Sequence, residues 1–291
     1  MDLSIVIVNW NTRELLRACL RSLETALAGD GLETETIVVD NASADGSAAM
    51  VASDFPWARL IANAENRNYA AGNNQGLALA AGEFVLLLNP DTEVPPGALQ
   101  ALIAFLRENP RAGAVSPALV HPDGRLQPSV RGFPTPRALT GEMTGLARLF
   151  PKSEWAGYRV LDPAGDTPTS VDQPMASAFL VRKAALDQVG HFDEEFPLFF
   201  NDVDLCFRLK QAGWEIYYDP RVKIVHVGGA STRQVRPEAI RRSHEGLRRF
   251  YEKYYRQRLP SLVYSAIVAA IAVSGLLRAW AAGMRARSDA C

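Results

Sequence analysis

Cysteine is scarce in this chain, three in 291 residues, and Cys19, Cys206 and Cys291 stand too far apart for a C-x-x-C or a Cys/His zinc spacing. A disulfide framework and a structural zinc site are thereby excluded, and reduced structural thiols are expected. Net charge is also lacking: 31 Lys+Arg against 32 Asp+Glu leave −1, which gives no electrostatic case for nucleic-acid binding. No basic n-region precedes the first apolar run, Ile5-Val6-Ile7-Val8, and that run is too short for a signal peptide. The start is therefore read as part of the fold, and the body as cytoplasmic. No internal repeat is present. With 48% apolar and 22% charged residues, neither disorder nor a collagen-like fibre is in play.

What the chain does contain is alternation. Residues 3–8 form a β-branched run suited to a buried parallel strand, and 12–28 place apolar residues at helical spacing (Leu15, Leu16, Cys19, Leu20, Leu23, Leu27). Residues 37–39 read as a second strand ending in Asp40, and Ser43 or Asp45 can cap the helix that follows. A third strand at 59–62, a helix at 70–80 and a fourth strand at 84–88 complete a β-α-β series. Such a series builds an α/β sheet with its ligand chemistry at the carboxyl ends of the strands. After Pro110 the regularity fails: a strand is expected at 115–120, but 124–172 is rich in Pro and Gly and reads as an irregular wall on the acceptor side. A strand at 176–181, a helix at 183–189, a helical stretch within 198–213 and two short strands at 215–218 and 222–225 follow.

Charge is unevenly placed. Between 233 and 258 nine Lys/Arg face three Glu, a net of +6, and the remainder of the tail adds +2, so the first 232 residues carry −9. An acidic body points to a cation site and a basic tail to an anionic surface. The tail reads as a basic helix at 237–256 followed by 262–277, sixteen residues without a charge. A span needs about 20 apolar residues, so a short span, an interfacial helix and a buried helix all fit; the adjacent arginines favour the membrane surface. The alternative is a helical pair packed on the body, at a homodimer interface. The expected division is a catalytic domain at 1–232 and a helical tail at 233–291.

Three clusters fall where strands should end. In Asp40-Asn41-Ala42-Ser43 a carboxylate can accept from a nucleobase N–H or a ribose hydroxyl, and Ser43 suits a helix cap. A dinucleotide cofactor competes for Asp40, but Val8-Asn9-Trp10-Asn11-Thr12 stands where its G-x-G-x-x-G would be. Asn89-Pro90-Asp91 closes the apolar run Leu86-Leu87-Leu88, placing a hard oxygen ligand for Mg²⁺ or Mn²⁺ at the sheet edge, although it is also a good turn sequence. In Asn201-Asp202-Val203-Asp204 two carboxylates at i and i+2 leave by different helix faces, so one can enter a cleft while the other pairs, for example with Arg208. His226 follows, beside Gly228-Gly229, where the backbone can approach closely.

In this order the clusters resemble the inverting family 2 glycosyltransferases of GT-A fold, especially the rhamnosyltransferase-like members. The resemblance runs through Ser4-Ile5-Val6-Ile7-Val8-Asn9-Trp10-Asn11, Val38-Val39-Asp40-Asn41-Ala42-Ser43, Glu65 to Gly76, Asn89-Pro90-Asp91, Phe179-Leu180-Val181-Arg182, Gly190-His191-Phe192-Asp193-Glu194 and 199–231. It implies that Asp40 contacts the donor base, with Asn9 and Asn11 in the same pocket and Arg67 and Asn74 near the nucleotide and diphosphate. Asn89-Pro90-Asp91 takes the place of the family's D-x-D, so the metal falls to Asp91, with His226 completing its site, and Asp202 matches the catalytic base. Two departures are Asn201 where a Glu is usual and Asn68 where a Gly is common; Asn tolerates left-handed angles. The implied activity is transfer of rhamnose or another hexose from a nucleotide diphosphate sugar to a glycan or lipid-linked hydroxyl, with Mg²⁺ or Mn²⁺, at the inner membrane face. An Asp of ordinary pKa, about 3.9, would serve as base. The rivals are a sugar nucleotidyltransferase, whose Gly- and Arg-rich N-terminal loop is missing, and a non-catalytic sugar-nucleotide or glycan binder on the same fold.

Overall fold

In the computed structural model the β-branched run is buried at every position and forms β1 (Leu3–Asn9). The structure describes residues 1–29, 31–150, 153–158, 160–161, 165–228 and 236–288; Gly229, Ser231, Arg233 and Cys291, all used above, lie outside these residues. The chain continues through α1 (Arg13–Leu27), β2 (Thr34–Asp40), α2 (Ser47–Asp54), β3 (Arg59–Ala62), α3 (Asn68–Leu77) and β4 (Phe84–Leu88). Gly46, and neither Ser43 nor Asp45, is the cap of α2; Asp45 stands one residue earlier, where its carboxylate accepts from Ser47 N at 3.0 Å and from Arg13 N at 2.8 Å and so links the starts of α1 and α2.

β1 lies between β2 and β4, parallel to both. The chain therefore winds outward to β3 and returns across β1, and a crevice opens at the carboxyl ends of β1 and β4, as switch points in such sheets do. The period of two along β1 sets the layers. Leu3, Ile5 and Ile7 pack with Leu16, Leu20 and Leu23 of α1, while Val6 packs on the opposite face with Ala70 and Leu77 of α3.

Beyond β4 come β5 (Thr92–Glu93), α4 (Ala98–Glu108), β6 (Ala112–Val120), β7 (Leu126–Gln127) and β8 (Val130–Arg131), then α5 (Pro136–Thr144), α6 (Leu146–Leu149) and a 3₁₀ turn at Glu154–Ala156. β9 (Val160–Leu161), β10 (Thr169–Ser170), β11 (Gln173–Pro174), β12 (Ala178–Arg182), α7 (Lys183–Val189), α8 (Asn201–Gln211) and β13 (Glu215–His226) lead to α9 (Arg236–Tyr254) and α10 (Ser261–Ser288). The main sheet has the order β10-β13-β6-β12-β4-β1-β2-β3, with β5 on β13 and β7 on β6; β12 runs antiparallel to β4 and β6. This mixed, mostly parallel sheet flanked by helices has the layout expected from the sequence.

Two further expectations are corrected. The described residues within 124–172 carry regular elements: Thr135 Oγ1 accepts from Ala138 N at 3.2 Å to start α5 at Pro136, and β8 pairs with β9 and β11 in a second, three-stranded sheet. Strands of two residues carry no period and exist through distant partners, which is why the pattern hid them. The two strands at 215–218 and 222–225 are one, β13, with a register shift between Asp219 and Lys223 at Pro220, which has no N–H for the ladder.

A third cluster joins the tail to the body: Leu139 of α5, Phe200 and Val203 at α8, Leu247, Phe250 and Tyr251 of α9 and Ile271 of α10. Burying each large side chain of this kind stabilises by about 1.5–3 kcal/mol, so α9 belongs to the folded body and is not a detached appendage. α10 differs. Its segment Ser261–Ala279 is long and apolar enough to cross a membrane, and 11% of it is buried. Leu262 and Leu276 stand 87% and 72% exposed.

Candidate active site

A cavity of about 930 Å³ opens at the carboxyl ends of β1 and β4, and Asn9, Asn89, Asp91, Asp202 and His226 all line it. Sequence distance is closed by strand pairing. β5 runs antiparallel to β13 with Thr92 opposite His226, and Val227 N donates to Asp91 O at 2.9 Å. The carboxylate and the imidazole are thus brought to 3.4 Å, Asp91 Oδ1 to His226 Nε2, and both are buried. His226 Nδ1 lies 2.8 Å from Gln127 Oε1. Since that oxygen only accepts, Nδ1 carries a proton, and in the neutral imidazole the Nε2 lone pair faces Asp91. Gly228, at φ 77°, supports this approach: a Cβ there would come to 3.3 Å from Gln127 Nε2.

Among the described residues no three His, Cys, Asp or Glu side chains gather into a metal cluster. One carboxylate oxygen and one imidazole nitrogen facing a cavity nonetheless fit a hard divalent cation whose remaining ligands come from a diphosphate and water. Asn89 Nδ2 donates to Ser177 Oγ at 3.1 Å.

The donor-pocket residues expected at β1 and β2 are tied to one another. Asn9 Nδ2 donates to Asp40 Oδ1 at 2.8 Å and to Ser43 Oγ at 3.1 Å, Ser43 N donates to Asp40 Oδ2 at 2.9 Å, and Asn11 N donates to Ser43 Oγ at 2.9 Å. Asn9 reaches the cavity wall, whereas Asp40 and Asn11 stand behind it. Asn11 and Ala42 adopt positive φ, 52° and 57°, and such local strain often marks functional loops. Arg67 is exposed and outside the cavity lining, between Asn66 and Asn68, which line it. Asn74 is also outside the lining: its amide donates to Phe192 O at 2.9 Å and accepts from Phe192 N at 3.0 Å, so it clamps α3 to the loop before α8. Asn68 takes φ 64°, the left-handed geometry that glycine would supply.

Asp202 stands in the first turn of α8, partly exposed at the cavity wall. Burial pushes its pKa up from the ordinary aspartate value, opposed by backbone N–H groups of Val203 and Ala176 and by the Arg131 charge. The ordinary pKa expected for this carboxyl is therefore corrected upward, which brings a base closer to its working range. Asn201 before it donates to Phe196 O at 3.2 Å and accepts from Asp202 N at 2.8 Å, two bonds that explain an amide in place of the usual acid. Asp204 leaves the other way, to Arg208 Nε at 2.8 Å.

Asn41, from the first cluster, also lines the wall, and its Nδ2 donates to Asn68 O at 3.0 Å. Several other wall residues had no sequence signal. Gln127, Ser129, Arg131 and Tyr158 come from the 124–172 insert, and Glu238 and Arg242 from α9. The wall thus crosses the expected division at 232.

Residues 4–159 match the model of glycosyl transferase family 2. The chain belongs to that family. As a family 2 glycosyltransferase it is similar to the N-acetylglucosaminyl-diphospho-decaprenol L-rhamnosyltransferase of Mycobacterium tuberculosis, 33% identical over 226 residues, 72% of this chain and 73% of the relative. Solved structures of similar fold include a mannosyltransferase from Pyrobaculum calidifontis in complex with GDP-Man and Mn²⁺ (TM-score 0.59, 19% identity, 99% of this chain and 79% of that one). Another is GalNAc-T7 with UDP, GalNAc and Mn²⁺ (TM-score 0.57, 14% identity). The glycosyltransferase spans 44% of that second chain, which covers 78% of it.

Proposed function

We propose that this glycosyltransferase moves a sugar, rhamnose or another hexose, from a nucleotide diphosphate donor to a hydroxyl of a lipid-linked or polysaccharide acceptor, with inversion, in cell-envelope glycan synthesis. The observation that carries this reading is the placement of Asp202 and the Asp91–His226 pair on different walls of one cavity, α8 against β5 and β13. Asp202 takes the proton from the acceptor hydroxyl as that oxygen attacks the anomeric carbon, and the donor diphosphate departs on the opposite side. Asp91 and His226 would hold Mg²⁺ or Mn²⁺, which would supply positive charge against the departing diphosphate. Asn9 and Asn89 line the donor end, with Asp40 and Asn11 fixing the Asn9 amide from behind, and Arg67 and Asn74 shape the loop and helix beside the nucleotide. The rhamnosyltransferase likeness makes deoxythymidine-diphosphate rhamnose the first donor to test.

α10 supports membrane attachment at the inner face: its exposed apolar side chains follow the basic α9, a pairing that suits anionic headgroups. The deciding experiment is calorimetric donor binding with and without Mn²⁺ or Mg²⁺. Metal-dependent binding of one nucleotide sugar, weakened by Asp91→Ala, is expected. Failure of every donor to bind would overturn the transferase reading in favour of a non-catalytic relative.

A further inference from the structure

Among the described residues, the cavity wall holds a cation without an ion-pair partner; the guanidinium groups of Arg131 and Arg242 reach that wall. Arg242 is committed: its Nε donates to Glu238 Oε1 at 2.9 Å and its Nη1 to Asn68 Oδ1 at 3.1 Å. Arg131, exposed on β8, has no carboxylate within ion-pair distance among the described residues. Its guanidinium lies 5.9 Å from the centroid of the Tyr158 ring, within cation–π range.

The support is rigid. β8 is the middle strand of the three-stranded sheet, flanked by β9 and β11, and the next residue, Gly132, packs so closely on Gly157 that a Cβ would come to 1.7 Å from the Gly157 carbonyl oxygen. Two strands of neighbours and a glycine contact therefore hold Arg131 beside Tyr158. Ser129, also on the wall, has a buried Oγ with no hydrogen-bond partner. A buried hydroxyl left unpaired costs free energy that a ligand oxygen can offset.

We propose that Arg131, with Tyr158 and Ser129, forms an anion subsite that takes the phosphate or diphosphate of a lipid-linked acceptor. Location assigns this subsite to the acceptor and not to the donor. The helix that carries Asp202, α8, packs on β11, the strand paired with β8, so the cation stands on the base's side of the cavity. Ile271 and Ile267 of α10 pack in one cluster with Leu139 and Phe133, so the exposed apolar helix lies beside the segment that carries Arg131. An acceptor anchored in a membrane by an isoprenoid chain would present its phosphate there. Planar guanidinium donors suit phosphate oxygens in pairs.

The inference rests on the transferase reading, and the test separates the two. Full-length protein is assayed with a short-chain polyprenyl-diphospho-sugar and with the alkyl glycoside of the same sugar, while donor affinity is measured separately by calorimetry. The wild type should favour the diphospho acceptor in kcat/KM by about 10- to 100-fold, the range of a charge-assisted contact. Arg131→Gln should erase that preference through acceptor KM, Arg131→Lys should restore part of it, and donor affinity should change by less than about twofold. A preference that survives in Arg131→Gln, or a loss equal for both acceptors, would overturn the subsite. A loss of donor affinity in that variant would overturn it too, since the cation would then serve the donor. Absence of donor binding in the wild type would instead remove the transferase reading itself. Arg131 is exposed, so both variants should fold, which thermal melting checks.

Discussion

Tyr254 donates its phenolic hydroxyl to Asp204 Oδ1 across 2.7 Å, and this bond ties α9 to the helix that carries Asp202. Lys253 Nζ meets the same oxygen at 2.6 Å and Arg208 holds the other, around a carboxylate with 0% exposure. Removing one member of such a buried set strands the rest. Asp204→Ala should therefore cost about 3 kcal/mol of stability, and Tyr254→Phe about 1 kcal/mol, both read by chemical denaturation. If Tyr254→Phe left stability untouched, the bond would not clamp the two helices.

Asp202→Asn should keep donor binding and lower transfer by about 10²–10⁴-fold, the usual worth of a general base. Retained turnover would remove Asp202 from that role.

The same residue sets a pH dependence. Burial raises its folded pKa above the ordinary 3.8, because the charged form is the one disfavoured. Its contribution to stability is therefore present below the unfolded value and lost as pH rises through the folded one. At neutral pH the ionised group costs stability, so Asp202→Asn should melt no lower than the wild type. In catalysis the ionised form is the working one, so kcat/KM should rise with pH through a limb above the ordinary aspartate range. A limb at or below 3.8 would contradict the buried setting.

Gln127→Ala should raise the Mn²⁺ concentration needed for half-maximal donor binding by about 10–100-fold, as loss of a partner that orients a ligating histidine does. An unchanged metal requirement would mean that the His226 tautomer is set elsewhere.

Truncation separates the two tail helices. Deleting 259–291 removes α10 and should move the protein from the membrane to the soluble fraction with donor binding retained; continued sedimentation with membranes would refute attachment through α10. Deleting 236–291 also takes Arg242, Lys253 and Tyr254, and should abolish transfer.

Much of this was legible in the sequence where the pattern is local. β4 is an unbroken apolar run and β1 is interrupted only by Ser4 and its terminal Asn9, and Asp91, Asp202 and His226, which line the cavity, each sit in a motif at a strand or helix end. What was hidden depends on distant partners. Asn74 has a donor-site motif around it, yet its amide is spent on Phe192, 118 residues away. Pro220 split β13 in the reading because a proline breaks the pattern, while the chain simply shifts register there. Arg131 lies in a two-residue strand with no period, and only the pairing of β8 with β9 and β11 carries it to the cavity. The raised pKa of Asp202 is likewise a property of its surroundings and not of its motif.

The three-stranded sheet is joined to the catalytic body as an insertion between β6 and β12, while the loops after β1 and β2 are locked by their own amides and hydroxyls. The molecule is in this respect modular. Within this insertion, change at Arg131 and Tyr158 could redirect the protein to a new acceptor, whereas Gln127, which holds His226, has to be kept for donor chemistry to be inherited unchanged.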